Sequence, residues 1–168
     1  MINVSEFVDQ LVMALEKEEE IYRDILELSL KKKQAIIDGD VKSLEKIVNK
    51  EKALAMSLIK LDNIRIRIVN EILKENNIDS VENITELSEY IDSSAKEKIL
   101  QLKSKLNHVI KKVRNENELN KDLVAQQLDY IQFNIDLMTN VDLGSNNYSK
   151  EANDNVKKGR KNLFDAKI

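Results

Sequence analysis

No proline interrupts this chain, and its 168 residues include only three glycines, Gly39, Gly144 and Gly159. Proline costs a helix interior about 3 kcal/mol and glycine about 1 kcal/mol. Between Gly39 and Gly144 neither residue type forces a helix to stop. Each glycine falls where a helical pattern breaks. A chain built this way is free to form helices longer than a compact domain needs, and the side surface of such helices has to be used.

Composition narrows the classes. Aromatic residues make up 4% of the chain, with no tryptophan. That is little material for walling a small-molecule pocket. The apolar content is mostly Leu, Ile and Val spaced on polar backgrounds, as in bundles and coiled coils. The 27 basic and 30 acidic residues are intermixed, for a net charge of -3. A nucleic-acid surface needs a basic stripe, and none is present. With no cysteine there is no disulfide and no thiolate metal site. The first residues lack the pattern of a signal peptide, and no apolar run reaches membrane-span length. The expected location is cytoplasmic, with no membrane span.

Periodicity gives the organisation. From Val4 to Ile37 an alternating four-three stripe carries Val8, Leu11, Leu15, Tyr22, Ile25 and Ile36. Glu18, Ser29 and Lys32 fill its polar slots. Spacing near 3.5 residues is that of helices wound around one another. Asn3 and Glu6 offer a capping box. Asp38-Gly39-Asp40 predicts a reversal, with Gly39 left-handed and Asp40 capping the next helix. So short a link makes the two helices antiparallel.

A second helix is expected from Asp40 to about Asn76, with Leu44, Ile47, Leu54, Leu58, Ile68 and Ile72 on its apolar face. Residues 77–93 read as a connector, with a short helix over Thr85–Ile91 that tucks in Leu87, Tyr90 and Ile91. A third long helix is expected from about Ser94, capped by Ser94 and Glu97, to Asn140. At 1.5 Å per residue it spans roughly 70 Å. Ile99, Leu102, Leu106, Val109, Val113, Leu123, Tyr130 and Leu137 hold its stripe, and Ile110, Val124, Leu128, Ile131 and Ile135 widen it.

The fold class is therefore all-α: an elongated antiparallel helical hairpin plus a third long helix, forming a three-helix bundle or coiled coil. Residues 1–140 make the bundle and 141–168 a mobile C-terminal tail. Tyr148 stands alone among polar residues in that tail. An exposed tyrosine is a good interface anchor, so the tail reads as a recognition segment or as a solubilising end.

Catalytic chemistry finds little to stand on. His108 is the only histidine. No two glycines lie close enough for a phosphate loop. The Glu-x-x-His pairs of di-iron bundles are missing. The expectation is no enzyme, no cofactor and no metal. Glu18, Glu51, Arg65, Glu116 and Asn120 interrupt apolar faces. The preferred reading puts them at helix edges, with their stems over apolar neighbours. The alternative is that they set helix register.

Three stretches carry a family resemblance. One is the acidic, tyrosine-bearing segment from Leu15 to Leu28. The second is the turn from Ile36 to Glu45, followed by Glu51-Lys52-Ala53-Leu54. The third is Asn117 to Leu123, leading to Leu128-Asp129-Tyr130-Ile131-Gln132-Phe133. In this order the chain resembles the FlgN family of flagellar type III export chaperones.

The resemblance implies binding of the C-terminal segments of the hook-associated proteins FlgK and FlgL. It implies that their early assembly is prevented and that they are delivered to the export gate FlhA. It also implies gate docking by a tail tyrosine, for which Tyr148 is the candidate. Self-assembling cargo ends are amphipathic, and a helix with a broad apolar face covers them by helix-in-groove packing. Leu123, Leu128, Ile131, Ile135 and Met138 are the expected cargo-binding residues, Met138 lending adaptability. Internal core or a homodimer seam has the same sequence signature. The alternative function is a structural coiled-coil homodimer without a secretion client.

Overall fold

The computed structural model describes residues 6–145. Among them the elements are α1 (Glu6–Asp38), α2 (Val41–Glu75), α3 (Ile84–Ser88) and α4 (Ser93–Ser145), with no strand. The all-α class holds, and so do the hairpin and the third long helix. Asn3 and Tyr148 lie outside the described residues.

The hairpin forms for the reasons its turn supplies. Gly39 has φ +67°, a left-handed conformation that a side chain would strain. Its N–H donates to the Ile36 carbonyl at 3.2 Å, and the Asp40 N–H donates to Ala35 at 2.9 Å. Asp40 then caps α2 by accepting the Ser43 backbone N–H at 3.1 Å and the Ser43 hydroxyl at 2.6 Å. Those hydrogen bonds, the hydroxyl first, hold the Asp40 carboxyl below the usual carboxylate value. At the other end of α2, Asn76 is the C-cap and Asn77 takes a positive φ of 53°. Asparagine tolerates this conformation better than most residues.

The chain divides into two compact units, residues 1–127 and 128–168. In the first, α1 and α2 run antiparallel, with Glu18 facing Arg65 and Lys32 facing Glu51. The α4 part of this unit runs parallel to α1. Lys98 meets Glu16 at 3.1 Å, Asn120 meets Ser29, and Gln127 donates to the Ile37 carbonyl at 3.4 Å. The unit is an up-down-up bundle of three helices.

Its main core joins Val8, Leu11 and Leu15 of α1 to Ile68 and Ile72 of α2 and to Ile99, Leu102 and Leu106 of α4. Leu87 and Ile91 of the connector close it. A smaller core at the hairpin end holds Leu28, Ala35 and Ile47. Burial of such side chains stabilises by about 1.5–3 kcal/mol each.

Four expectations need correction. Tyr90 does not tuck in; it is exposed, while Leu87 and Ile91 on either side fill the space. Asp92, not Ser94, caps α4: its carboxylate accepts the Ala95 N–H at 2.9 Å. The long helix does not stop at Asn140 but runs on through Gly144 to Ser145.

The fourth correction concerns the polar interruptions. Glu18 and Asn120 are not edge residues, at 5% and 3% exposure. Their positions face the bundle interior, so each meets a partner on another helix. Asn120 donates through Nδ2 to the Ser29 carbonyl at 2.9 Å. Lys32 donates to Glu51 at 2.8 Å. These pairs form polar layers between helices.

Candidate functional site

The second unit is described from Leu128 through the end of α4. From Leu128 to Val141 its large apolar side chains are exposed, from 41% at Ile135 to 70% at Met138 and Val141. Apolar side chains crowded on a stable helix mark a surface meant for contact. At 3.6 residues per turn they fall into two stripes. Leu128, Ile131, Ile135 and Met138 make one, and Tyr130, Phe133, Leu137 and Val141 make the other.

The polar remainder of the circumference holds Asp129, Gln132, Asp136, Thr139 and Asn140. Gln132 donates to Asp136 at 3.0 Å there, and the Thr139 hydroxyl donates to the Ile135 carbonyl at 2.7 Å.

The five residues singled out in the sequence are not equivalent. Leu128, Ile131, Ile135 and Met138 share one stripe and are all free. Leu123 belongs to the first unit and is half-buried. The stripe of Tyr130, Phe133, Leu137 and Val141 was not chosen from the sequence. The signal for it was present, because these apolar residues recur at three- and four-residue spacing.

The first unit carries a concavity of its own. A groove of about 700 Å³ has α1 as its floor, with Leu15, Glu18 and Tyr22. Leu58, Ile59 and Arg65 of α2 form one wall, and Leu106 and Ile110 of α4 the other. Arg65 donates to Glu18 at 2.9 Å and to Asp62 at 2.6 Å within it. Burial pushes the Glu18 carboxyl up; the Arg65 charge opposes this, and the Asp62 charge adds to it. One cation is thus shared by a carboxylate of α1 and a carboxylate of its own helix.

Among the described residues no group of three His, Cys, Asp or Glu side chains is placed to hold a metal ion. His108 sits exposed on α4. No helix among the described residues is long and apolar enough to cross a membrane.

The family model for the FlgN protein matches residues 1–155, nearly the whole chain. The chain belongs to the FlgN family. Members of the FlgN family are flagellar export chaperones, which places the chain in flagellum biogenesis with flagellar proteins as partners. A curated relative, the uncharacterized protein YvyG of Bacillus subtilis (strain 168), is 28% identical over 150 residues. That match covers 88% of this chain and 90% of YvyG. No solved structure gives a significant match. A chaperone role suits a helical bundle that offers exposed apolar contact surface.

Proposed function

We propose that this FlgN-family chain is the cytoplasmic chaperone of the hook-associated proteins FlgK and FlgL. It binds their C-terminal segments, keeps them from assembling early and delivers them to the export gate FlhA. The observation that carries this reading is the free stripe of Leu128, Ile131, Ile135 and Met138 on α4. An amphipathic cargo helix laid on that stripe removes apolar surface from water on both partners, worth about 25 cal/mol per Å² before the costs of association. Leu123, half-buried, offers less surface and contributes least.

Tyr148, outside the described residues, is the gate-docking residue in this reading. Cargo capture and delivery are then separable. Tyr148→Ala weakens delivery to FlhA and leaves cargo affinity unchanged; equal loss of both contradicts separate roles. The direct test is co-purification with the C-terminal segments of FlgK and FlgL. Binding at micromolar concentration supports the reading, and no binding at that concentration discards it.

A further inference from the structure

The apolar surface of the second unit is too broad for one helix. A helix that packs on a single neighbour needs an apolar stripe somewhat over ~100° wide. From Phe133 round to Leu128, the eight exposed apolar side chains cover roughly 220° of the circumference. Among residues 128–141, half-buried Asn134 is the one polar residue within that arc. That width is what a helix shows when two neighbours flank it.

The charge is one-sided as well. Residues 128–145 contain three aspartates, Asp129, Asp136 and Asp142, and no lysine, arginine or histidine. Asp129 and Asp136 are exposed on the polar face. By helical spacing they lie between the outer edges of the two stripes, within reach of a long cationic side chain from either edge. Lysine and arginine can lie along apolar surface and still bring their charge to such a carboxylate. A second copy of this helix would bring three more aspartates and no cation, so like charges oppose self-pairing.

We infer that this segment is recognised by a cationic partner that presents two amphipathic helices at once, one on each stripe. The inference rests on the proposed chaperone reading for the identity of the partner, but not for its chemistry. The Leu128 stripe and the Tyr130 stripe each take one helix, and the aspartates between them select lysine or arginine beside the partner's apolar residues.

The test uses the full chain and two kinds of probe. The first is a pair of model amphipathic helices, one built of Leu and Lys and one of Leu and Glu. Calorimetric titration is expected to show two Leu/Lys helices bound per chain and no binding of the Leu/Glu helix. Affinity should fall about fivefold or more between low and high salt, as screening removes the attraction. Tyr130→Asp with Phe133→Asp, and separately Leu128→Asp with Ile131→Asp, should each reduce the stoichiometry to one. Equal binding of both model helices, or a stoichiometry of one in the unaltered chain, overturns the inference.

The second probe is the C-terminal segment of FlgK. If it binds and Tyr130→Asp with Phe133→Asp leaves its affinity unchanged, the two-helix inference falls and the chaperone reading stands. If it does not bind while two Leu/Lys helices do, the chaperone reading falls and the inference stands. Two controls identify other occupants. Replacing Lys157, Lys158, Arg160 and Lys161 with serine should change affinity for the Leu/Lys helix by less than about threefold. A gain of about tenfold or more would assign the arc to the chain's own cationic end and overturn the inference. A dimeric mass without probe that becomes monomeric in Leu128→Asp would assign it to a second copy, with the same consequence.

Discussion

Arg65 of α2 reaches across to α1 and donates through Nη1 to the Glu18 carboxylate at 2.9 Å, while Nη2 holds Asp62 at 2.6 Å. The Glu18 side chain is almost sealed and that of Arg65 is partly open. Desolvation outweighs the guanidinium's attraction, since the Glu18 carboxyl is pushed up rather than down. Such a pair is therefore a poor source of net stability compared with apolar side chains of similar size. Its value lies in matching one level of α1 to one level of α2.

Removing one partner should be costly. Arg65→Met leaves Glu18 buried without its cation and should destabilise by about 3 kcal/mol. Urea unfolding followed by circular dichroism measures this. A change below 1 kcal/mol would mean that the carboxylate escapes to water without cost.

The same residue sets a pH dependence of definite sign. Folded Glu18 holds its proton above the ordinary value of 4.5. Between that value and the raised one, the folded state binds more protons than the unfolded state. The Glu18 contribution to stability therefore falls as pH rises through this window. Glu18→Gln should flatten that part of the profile, read as Tm against pH from 4 to 7. A Glu18 contribution that grows with pH would contradict the burial argument.

Core and cap predictions follow from burial and geometry. Leu11 is fully buried in the main core, and Leu11→Ala should cost about 2–5 kcal/mol. Asp92→Ala, which loses the cap on Ala95, should cost about 1 kcal/mol. Equilibrium unfolding of both variants checks the order as well as the sizes. An Asp92→Ala cost equal to that of Leu11→Ala would show that α4 depends on its first turn more than on its packing.

Much of the fold was legible because local chemistry agreed with the global pattern. Asp38-Gly39-Asp40 fixed the reversal, and the four-three stripe of Val8, Leu11 and Leu15 fixed the buried face of α1. The polar slots were misread for a physical reason. Whether Glu18 or Asn120 is buried depends on a partner 47 or 91 residues away, and periodicity carries no such pairing. Asp92 is not singled out as a cap because Ser94 and Glu97 offer an equally good local pattern two residues on.

The site was only half legible. Leu128, Ile131, Ile135 and Met138 were found by spacing, but the same spacing describes core and open surface. Only their exposure separates the two. Tyr130 and Leu137 read as part of a single continuous stripe with Leu123, and the division of the chain after Gln127 is not visible in the pattern.

The most direct measurement is a titration of the FlgK C-terminal segment into the full chain and into the Leu128→Asp, Ile131→Asp double variant, with helicity and unfolding recorded for both. Both residues are exposed, so the substitutions should change stability by less than about 1 kcal/mol. The predicted result is micromolar or tighter binding by the unaltered chain and loss of binding by at least about a hundredfold in an equally folded variant. Unchanged affinity in a folded variant would contradict the assignment of this stripe as the surface that receives export cargo.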